Sequence, residues 1–187
     1  MRIISGFLKG KQIDFLKSAT TRPLRDYVKE SIFNVIKHSN LLDVSLEKST
    51  VLDLYSGIGS FGMECISRGA KNVLFVENDD EVLTILEKNI THLKIEKKTK
   101  IFKTKIISFL TQPRQDAKYE IIFLDPPFSE NFFLKDLEEI KKSNVCKKKN
   151  LIIIHREAKS KDNLPGFINI IMTKKYGRSK IIFGNLA

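Results

Sequence analysis

The chain of 187 residues contains no tryptophan, five prolines and only two cysteines, Cys65 and Cys146. Two thiols outside any CxxC pair exclude a disulfide framework, and Cys65, on an apolar helical stretch, reads as core. The longest apolar runs, such as 120–124 and 151–154, fall far short of the ~20 residues that span a bilayer. Met1-Arg2-Ile3-Ile4-Ser5-Gly6 opens no long apolar region before a small-residue cleavage site, so no secretory leader is expected. His38, His92 and His155 stand isolated, without HExxH or CxxC company, so no metal site is expected. His155, at the end of a strand, reads as a structural histidine. No repeat, Pro- or Ser-rich linker or low-complexity tract divides the chain. These absences leave a soluble, cytoplasmic, single-domain protein as the expectation.

What is present fits that frame. Hydrophobic residues at 42% and charged residues at 29% suffice for a core. A chain of this size buries roughly 70% of the surface it exposes when unfolded. Acids are scarce: 22 Asp and Glu face 33 Lys and Arg, for a net charge of +11. Such a balance favours a polyanionic partner, nucleic acid first. A lysine-rich composition could produce much of it, since 26 of the 33 basic residues are Lys. Residues 1–37, however, carry eight basic side chains against three acids and hold three of the seven arginines. Arginine suits bidentate phosphate contact, so Lys9, Lys11, Arg22 and Arg25 are the candidate RNA-binding residues. The runs Lys94–Lys105 and Lys147–Lys149 read as solvated faces.

Residues 1–15 predict two short strands around Gly6 and Gly10, a β-hairpin. Pro23 suits a first helical turn, after which Val28, Ile32, Val35 and Ile36 recur at helical spacing. From Thr50 the rhythm changes to short apolar strands alternating with amphipathic helices. Strands are expected at 50–54, 72–76, 100–103, 119–124 and 150–155, with helices near 61–68, 81–93, 106–111 and 132–142. Alternation of this kind argues for βαβ units and a mostly parallel α/β sheet of Rossmann-like type. Residues 167–175 and 180–183, joined through Tyr176-Gly177-Arg178-Ser179, predict a closing antiparallel hairpin. The chain thus reads as one domain, with a basic arm over 1–22 and an α/β core over 23–187.

Two motifs carry chemistry. The first is Val51-Leu52-Asp53-Leu54-Tyr55-Ser56-Gly57-Ile58-Gly59-Ser60-Phe61-Gly62, a strand entering a glycine-rich turn and then a helix. Glycine lets the backbone approach a ligand closely. Glu77, 20 residues after Gly57, ends the second strand, where an acid can accept hydrogen bonds from ribose hydroxyls. The glycines also match the dinucleotide fingerprint, so an NAD(P)-dependent oxidoreductase stays open. Asp53 argues against it, because an acid inside the first strand would repel a pyrophosphate. A carboxylate there suits the cationic groups of S-adenosylmethionine. Ser56 and Ser60 could cap the helix or touch the cofactor.

The second motif is Asp125-Pro126-Pro127-Phe128, directly after the fourth strand. Two prolines fix the backbone and present carbonyls without N–H donors. Asp125 and the Pro126 carbonyl can accept both N–H bonds of an exocyclic amine, while Phe128 stacks on its base. An aryl amine is a poor nucleophile, and holding it against a methylsulfonium supplies proximity and electrostatics without a covalent intermediate.

Asp/Asn-Pro-Pro-aromatic after the fourth strand resembles the signature of class I amino-methyltransferases. Arg2-Ile3-Ile4-Ser5-Gly6 with Gly10-Lys11, Thr21-Arg22-Pro23 with Asp26, Val28 and Glu30, Phe33-Asn34, the 52–57 segment and Ser67-Arg68-Gly69-Ala70 together narrow the likeness. They resemble the RsmD family, enzymes that methylate N2 of a guanine in bacterial 16S rRNA. The resemblance implies a seven-stranded sheet with one antiparallel strand plus the hairpin, and a partly assembled small ribosomal subunit as substrate. It also implies cofactor contacts from Asp53, Tyr55, Gly57, Gly59, Glu77, Asn78, Lys105 and Ile106, and a catalytic loop of Asp125, Pro126, Pro127 and Phe128. Leu24 stands where the family has Thr, and Tyr27 where a basic residue is usual. Lys105 stands where the family has an adenine-binding Asp, leaving that role to backbone groups and Ile106. Two rivals stay open: an N6-adenine methyltransferase on RNA or DNA, and a nucleic-acid-binding assembly factor without catalysis.

Overall fold

A computed structural model describes residues 1–15, 24–112, 118–127 and 132–186. Seven strands form one sheet: β1 (Thr50–Leu54), β2 (Asn72–Glu77), β3 (Thr99–Lys103), β4 (Tyr119–Leu124), β5 (Cys146–Glu157), β6 (Ile168–Tyr176) and β7 (Ser179–Leu186). Their order is β3-β2-β1-β4-β5-β7-β6, parallel up to β5, with β7 antiparallel to both β5 and β6. The helices are α1 (Asp26–His38), α2 (Ser60–Ser67), α3 (Asp80–Leu93), α4 (Ile106–Thr111) and α5 (Phe133–Lys142). The expected α/β architecture is therefore present, and the chain runs outward from β1 in both directions. That reversal leaves a crevice beyond the carboxyl ends of β1 and β4, where ligands bind in open α/β sheets.

Apolar residues on both faces of the central strands explain why this sheet is covered twice. On one face Val51, Val73, Phe75, Ile121 and Phe123 pack with Val28, Ile32, Phe33 and Ile36 of α1, Phe61 and Met63 of α2, and Leu83 and Leu86 of α3. Phe33, Phe61 and Phe123 form a continuous stack across that layer. On the other face Leu52, Leu54, Ile122 and Leu124 pack with Phe109 and Leu110 of α4 and Phe133, Leu137 and Ile140 of α5. Both cysteines are buried, and burial pushes the Cys146 thiol up to about 12 and the Cys65 thiol upward as well.

Two features differ from expectation. β5 is 12 residues long, because the lysine-rich 147–149 stretch continues it along the sheet after a register shift between Tyr119 and Ile121 on β4. The N-terminal hairpin reduces to one antiparallel bridge, Arg2 with Gln12, and a tight double turn. Its apolar residues Ile3, Leu8 and Ile13 are buried in the α1–α3 layer, so the arm is part of the core rather than an appendage. Pro23 lies outside the described residues, and α1 starts at Asp26.

A buried polar hub holds the arm. Glu64, in a helix whose eight residues are all buried, accepts the Ile4 and Ser5 amides at 2.8 and 2.9 Å. It also accepts Arg68 Nε at 2.7 Å and lies 3.9 Å from the Lys29 ammonium. Lys29 in turn donates to the Arg2 carbonyl and to Ser60 Oγ. Gly6 is required here: with φ +84°, it brings the arm so close to α2 that a Cβ would lie 1.8 Å from the Ser67 carbonyl oxygen.

Candidate active site

Register assembles the site. Leu54 of β1 pairs with Val76 of β2 and Leu124 of β4, so the next residues, Tyr55, Glu77 and Asp125, lie side by side at the sheet's carboxyl edge. Asp53, one step inside, pairs with Phe75 and Phe123 and faces the α1–α3 layer with them. It is 1% exposed and accepts the Gly62 amide at 2.9 Å, which ties β1 to the first turn of α2. Burial raises the Asp53 carboxyl well above the usual range; the Gly62 bond works against this, while the charges of Asp125 and Glu77 add to it. Three acids thus bear on one crevice at the switch point, an arrangement that a bound cation would relieve.

The loop after β1 is pinned to β2. Ser56 donates from both its amide and its hydroxyl to the Val76 carbonyl at 3.2 Å. Gly57 (φ +54°) has nothing within 4 Å of where a Cβ would stand, so its face of the loop is open to a ligand. Gly59 (φ +82°) caps α2, and a Cβ there would meet Leu86 and Met63. Ser60 Oγ accepts from the Lys29 ammonium, and the N-cap position of α2 is Gly59. Glu77 accepts the Gly57 amide through one oxygen at 2.8 Å and the Asn78 and Asp79 amides through the other. The acid expected for ribose binding is therefore also the brace of the glycine loop. These three bonds use three of the carboxylate's roughly four acceptor sites, and the neighbouring Asn78 is exposed.

The Tyr55 side chain lies away from the crevice. Its positive φ of 59° turns the side chain to the opposite face, where the hydroxyl donates to Asp136 of α5. Lys105 is exposed, precedes α4, and makes no side-chain cap, while Ile106 is half-buried. The Thr104 amide donates to the Glu77 carbonyl at 3.0 Å, which draws the start of α4 towards the crevice.

The second loop follows β4. Pro126 is buried and Pro127 exposed; Phe128 lies outside the described residues. Sequence reasoning missed two supports here. Asp125 meets His155, whose Nδ1 lies 2.8 Å from Oδ1. Arg156, 1% exposed, donates to the Pro127 carbonyl at 3.1 Å and to Asp162 at 3.0 Å. Burial opposes ionisation of Asp162, but hydrogen bonds from Ser160, Lys180 and Arg156 hold its carboxyl below the usual range. A usable signal existed: in parallel neighbours the residue after Leu124 stands level with the one after Ile154, which pairs Asp125 with His155.

Of the basic residues, Lys9, Lys11 and Arg25 are exposed on the arm and at the start of α1; Arg22 lies outside the described residues. The lysines of 94–105 and 147–149 are exposed, as expected of solvated faces. Lys97, Lys98, Lys100, Lys118, Lys147 and Lys148 line one cavity of about 800 Å³ at the amino ends of the strands, opposite the crevice. Among the described residues, no helix is long and apolar enough to cross a membrane.

A sheet of this order, with a carboxylate-lined glycine loop and an Asp-Pro-Pro loop meeting at the switch point, is that of a class I methyltransferase. The family described as "Conserved hypothetical protein 95" matches residues 1–185. "Ribosomal RNA small subunit methyltransferase D" of Haemophilus influenzae is 34% identical over 158 residues, covering 84% of this chain and 79% of that one. "Putative rRNA methyltransferase YlbH" of Bacillus subtilis is 29% identical, covering 94% and 92%. In three dimensions, a putative methyltransferase from Escherichia coli superposes with a TM-score of 0.83 at 24% identity, covering 100% of this chain and 97% of that one, a likeness of fold. The chain belongs to this family, that of the RsmD-type methyltransferases.

Proposed function

We propose that the protein transfers a methyl group from S-adenosylmethionine to the exocyclic N2 of a guanine in 16S rRNA, acting in the cytoplasm on a partly assembled small ribosomal subunit. The observation that carries this reading is the register that sets Glu77 and Asp125 level on either side of β1, with buried Asp53 two residues further in on β1. S-adenosylmethionine, when bound, supplies an electrophilic methyl group on a sulfonium. Asp53 offers a buried anion to its cationic portion, Gly57 an open backbone face, and Glu77 acceptors for ribose hydroxyls. Backbone and side-chain atoms of Asn78, Lys105 and Ile106 border the same end. The names of the curated relatives, rRNA methyltransferases, support the substrate class.

Asp125 and the Pro126 carbonyl accept the amine's N–H bonds and orient its lone pair towards the methyl group. Arg156 donates to the Pro127 carbonyl and so holds the loop from behind. Bound S-adenosylmethionine would supply the methyl group and keep the electron pair of the methyl–sulfur bond on sulfur, so the chain has to hold the amine and take up its proton. The nitrogen then sheds a proton, for which the Asp125 carboxylate is the adjacent base. Phe128 stacks on the base, which offsets part of the few kcal/mol that extruding it costs. Exposed Lys9, Lys11 and Arg25, with Arg22, take phosphates of the rRNA.

The test is methylation of a deproteinised 16S rRNA fragment and of a partly assembled subunit, followed by nucleoside analysis. N2-methylguanine from wild type and none from Asp125→Ala, with S-adenosylmethionine affinity kept within a few-fold, is the expected result. N6-methyladenine in its place would move the substrate to adenine, and no product on either RNA would refute the reading.

A further inference from the structure

His155 is joined to the catalytic loop by more than proximity. Leu124 of β4 pairs with Ile154 of β5, so the residues that follow, Asp125 and His155, sit level on adjacent strands. The imidazole is buried and bridges two elements: Nδ1 is 2.8 Å from Asp125 Oδ1, and Nε2 is 2.9 Å from Ser179 Oγ. Ser179 starts β7, pairs with Glu157, and is set by the two-residue Gly177-Arg178 turn from β6. A carboxylate can only accept at Oδ1, so Nδ1 carries the hydrogen in the neutral ring. Nε2 is then the acceptor, and the Ser179 hydroxyl donates to it. The serine thus selects the tautomer that grips the aspartate.

We propose that His155, with its tautomer selected by Ser179, is a positioning residue for methyl transfer: it anchors Asp125 through Oδ1 and leaves Oδ2 to the substrate amine. The inference rests on the reading of Asp125 given above. It concerns a residue whose type at this position looked merely structural in the sequence. Asp125 keeps 24% of its side chain exposed, whereas His155 keeps 7%, so the histidine supports the acid from the protein side. Together His155 and Arg156 grip both ends of the Asp125–Pro127 segment, one at the carboxylate and one at the last carbonyl.

The experiment compares His155→Leu, His155→Asn and Ser179→Ala in the full chain. An asparagine amide nitrogen takes the place of Nδ1, so His155→Asn keeps the donor and loses only the link to Ser179. With the rRNA substrate, His155→Leu should lower kcat roughly 10–100-fold, the scale of a displaced catalytic group. KM for RNA and affinity for S-adenosylmethionine should stay within two-fold. His155→Asn should recover most of the rate, and Ser179→Ala should fall between. A His155→Leu kcat within two-fold of wild type overturns the proposal. So does a loss in which KM rises, the melting temperature drops in step and Asn rescues nothing, since that is the pattern of a structural role. Imidazole ¹⁵N NMR on the free protein gives a readout independent of turnover. Nδ1–H is expected, with a resonance that moves in Asp125→Asn. An Nε2–H tautomer, or a resonance indifferent to Asp125, overturns the proposal even where methylation proceeds. Absence of methylation by wild type would instead count against the rRNA reading.

Discussion

Asp53→Asn separates stability from function at one atom. In the free protein Asp53 is 1% exposed, and among the described residues the Gly62 amide supplies its hydrogen bond. Burial first, then Asp125 and Glu77, work against its charge. An amide of the same shape can still accept from Gly62 without carrying that charge. Removing the penalty of a buried polar group short of partners is worth about 1–3 kcal/mol. One kcal/mol moves the melting temperature of a chain this size by about 2–4 °C, so the free variant should melt at least ~2 °C above wild type at neutral pH. The sign of the pH dependence follows. A carboxyl raised in the folded state costs nothing while protonated and destabilises as pH climbs through its folded value, so the variant's advantage should vanish in acid and grow towards neutrality.

The cofactor should act the other way. A lost hydrogen bond to a charged group is worth about 1.5–3 kcal/mol, or roughly 10–150-fold in Kd. At S-adenosylmethionine 100 times the wild-type Kd, wild type gains about 2.7 kcal/mol, whereas a variant bound 30-fold more weakly gains about 0.9. The melting temperature should thus rise by about 5–11 °C in wild type and about 2–4 °C in Asp53→Asn. Differential scanning fluorimetry across pH, with and without S-adenosylmethionine, reads all of these shifts. A free variant less stable than wild type, or one whose cofactor shift matches wild type, would refute the assignment of Asp53 as the buried counter-charge.

Three further predictions concern the loop, the arm and its anchor. Glu77→Ala should weaken S-adenosylmethionine by about 1–3 kcal/mol in calorimetry, and should also lower the melting temperature, because three loop amides lose their acceptor. Replacing Lys9, Lys11, Arg22 and Arg25 with Gln should flatten the plot of log affinity against log salt for the rRNA fragment by about three, at about 0.7–0.9 per lost phosphate contact. Equal slopes would reduce the arm's charge to composition, and a matching set of Gln substitutions in the Lys97, Lys98, Lys118 and Lys148 cavity serves as the comparison. Glu64→Gln leaves one of the Ile4 and Ser5 amides facing an NH2 and strips Lys29 and Arg68 of their carboxylate, so urea unfolding should register a loss of about 3–5 kcal/mol. A loss under 1 kcal/mol would mean that the arm is held by its apolar residues alone.

What the sequence determined by itself was whatever repeats or clusters over a few residues. Alternating apolar strands and amphipathic helices produced the βαβ reading, and all five helices and seven strands lie where periodicity or turn residues put them, within a few positions at their ends. The glycine loop and the Asp-Pro-Pro loop were equally legible, since each is a contiguous motif whose chemistry is set by its own residues. Tertiary structure decided the rest. Tyr55 turned away from the crevice because of one positive φ, a backbone choice that its side chain does not announce. The arm entered the core because Glu64, some 60 residues distant, presents two oxygens to its amides. Two exposed lysine runs, together with Lys118, came to line one concavity because β3, β4 and β5 begin at the same end of a sheet. His155 met Asp125, 30 residues away, because two parallel strands fell into register. Local pattern reports which face of an element is apolar. It carries no record of which polar group on one element stops level with a group on another, and that alignment, set by strand register and helix docking, places the polar contacts of this site.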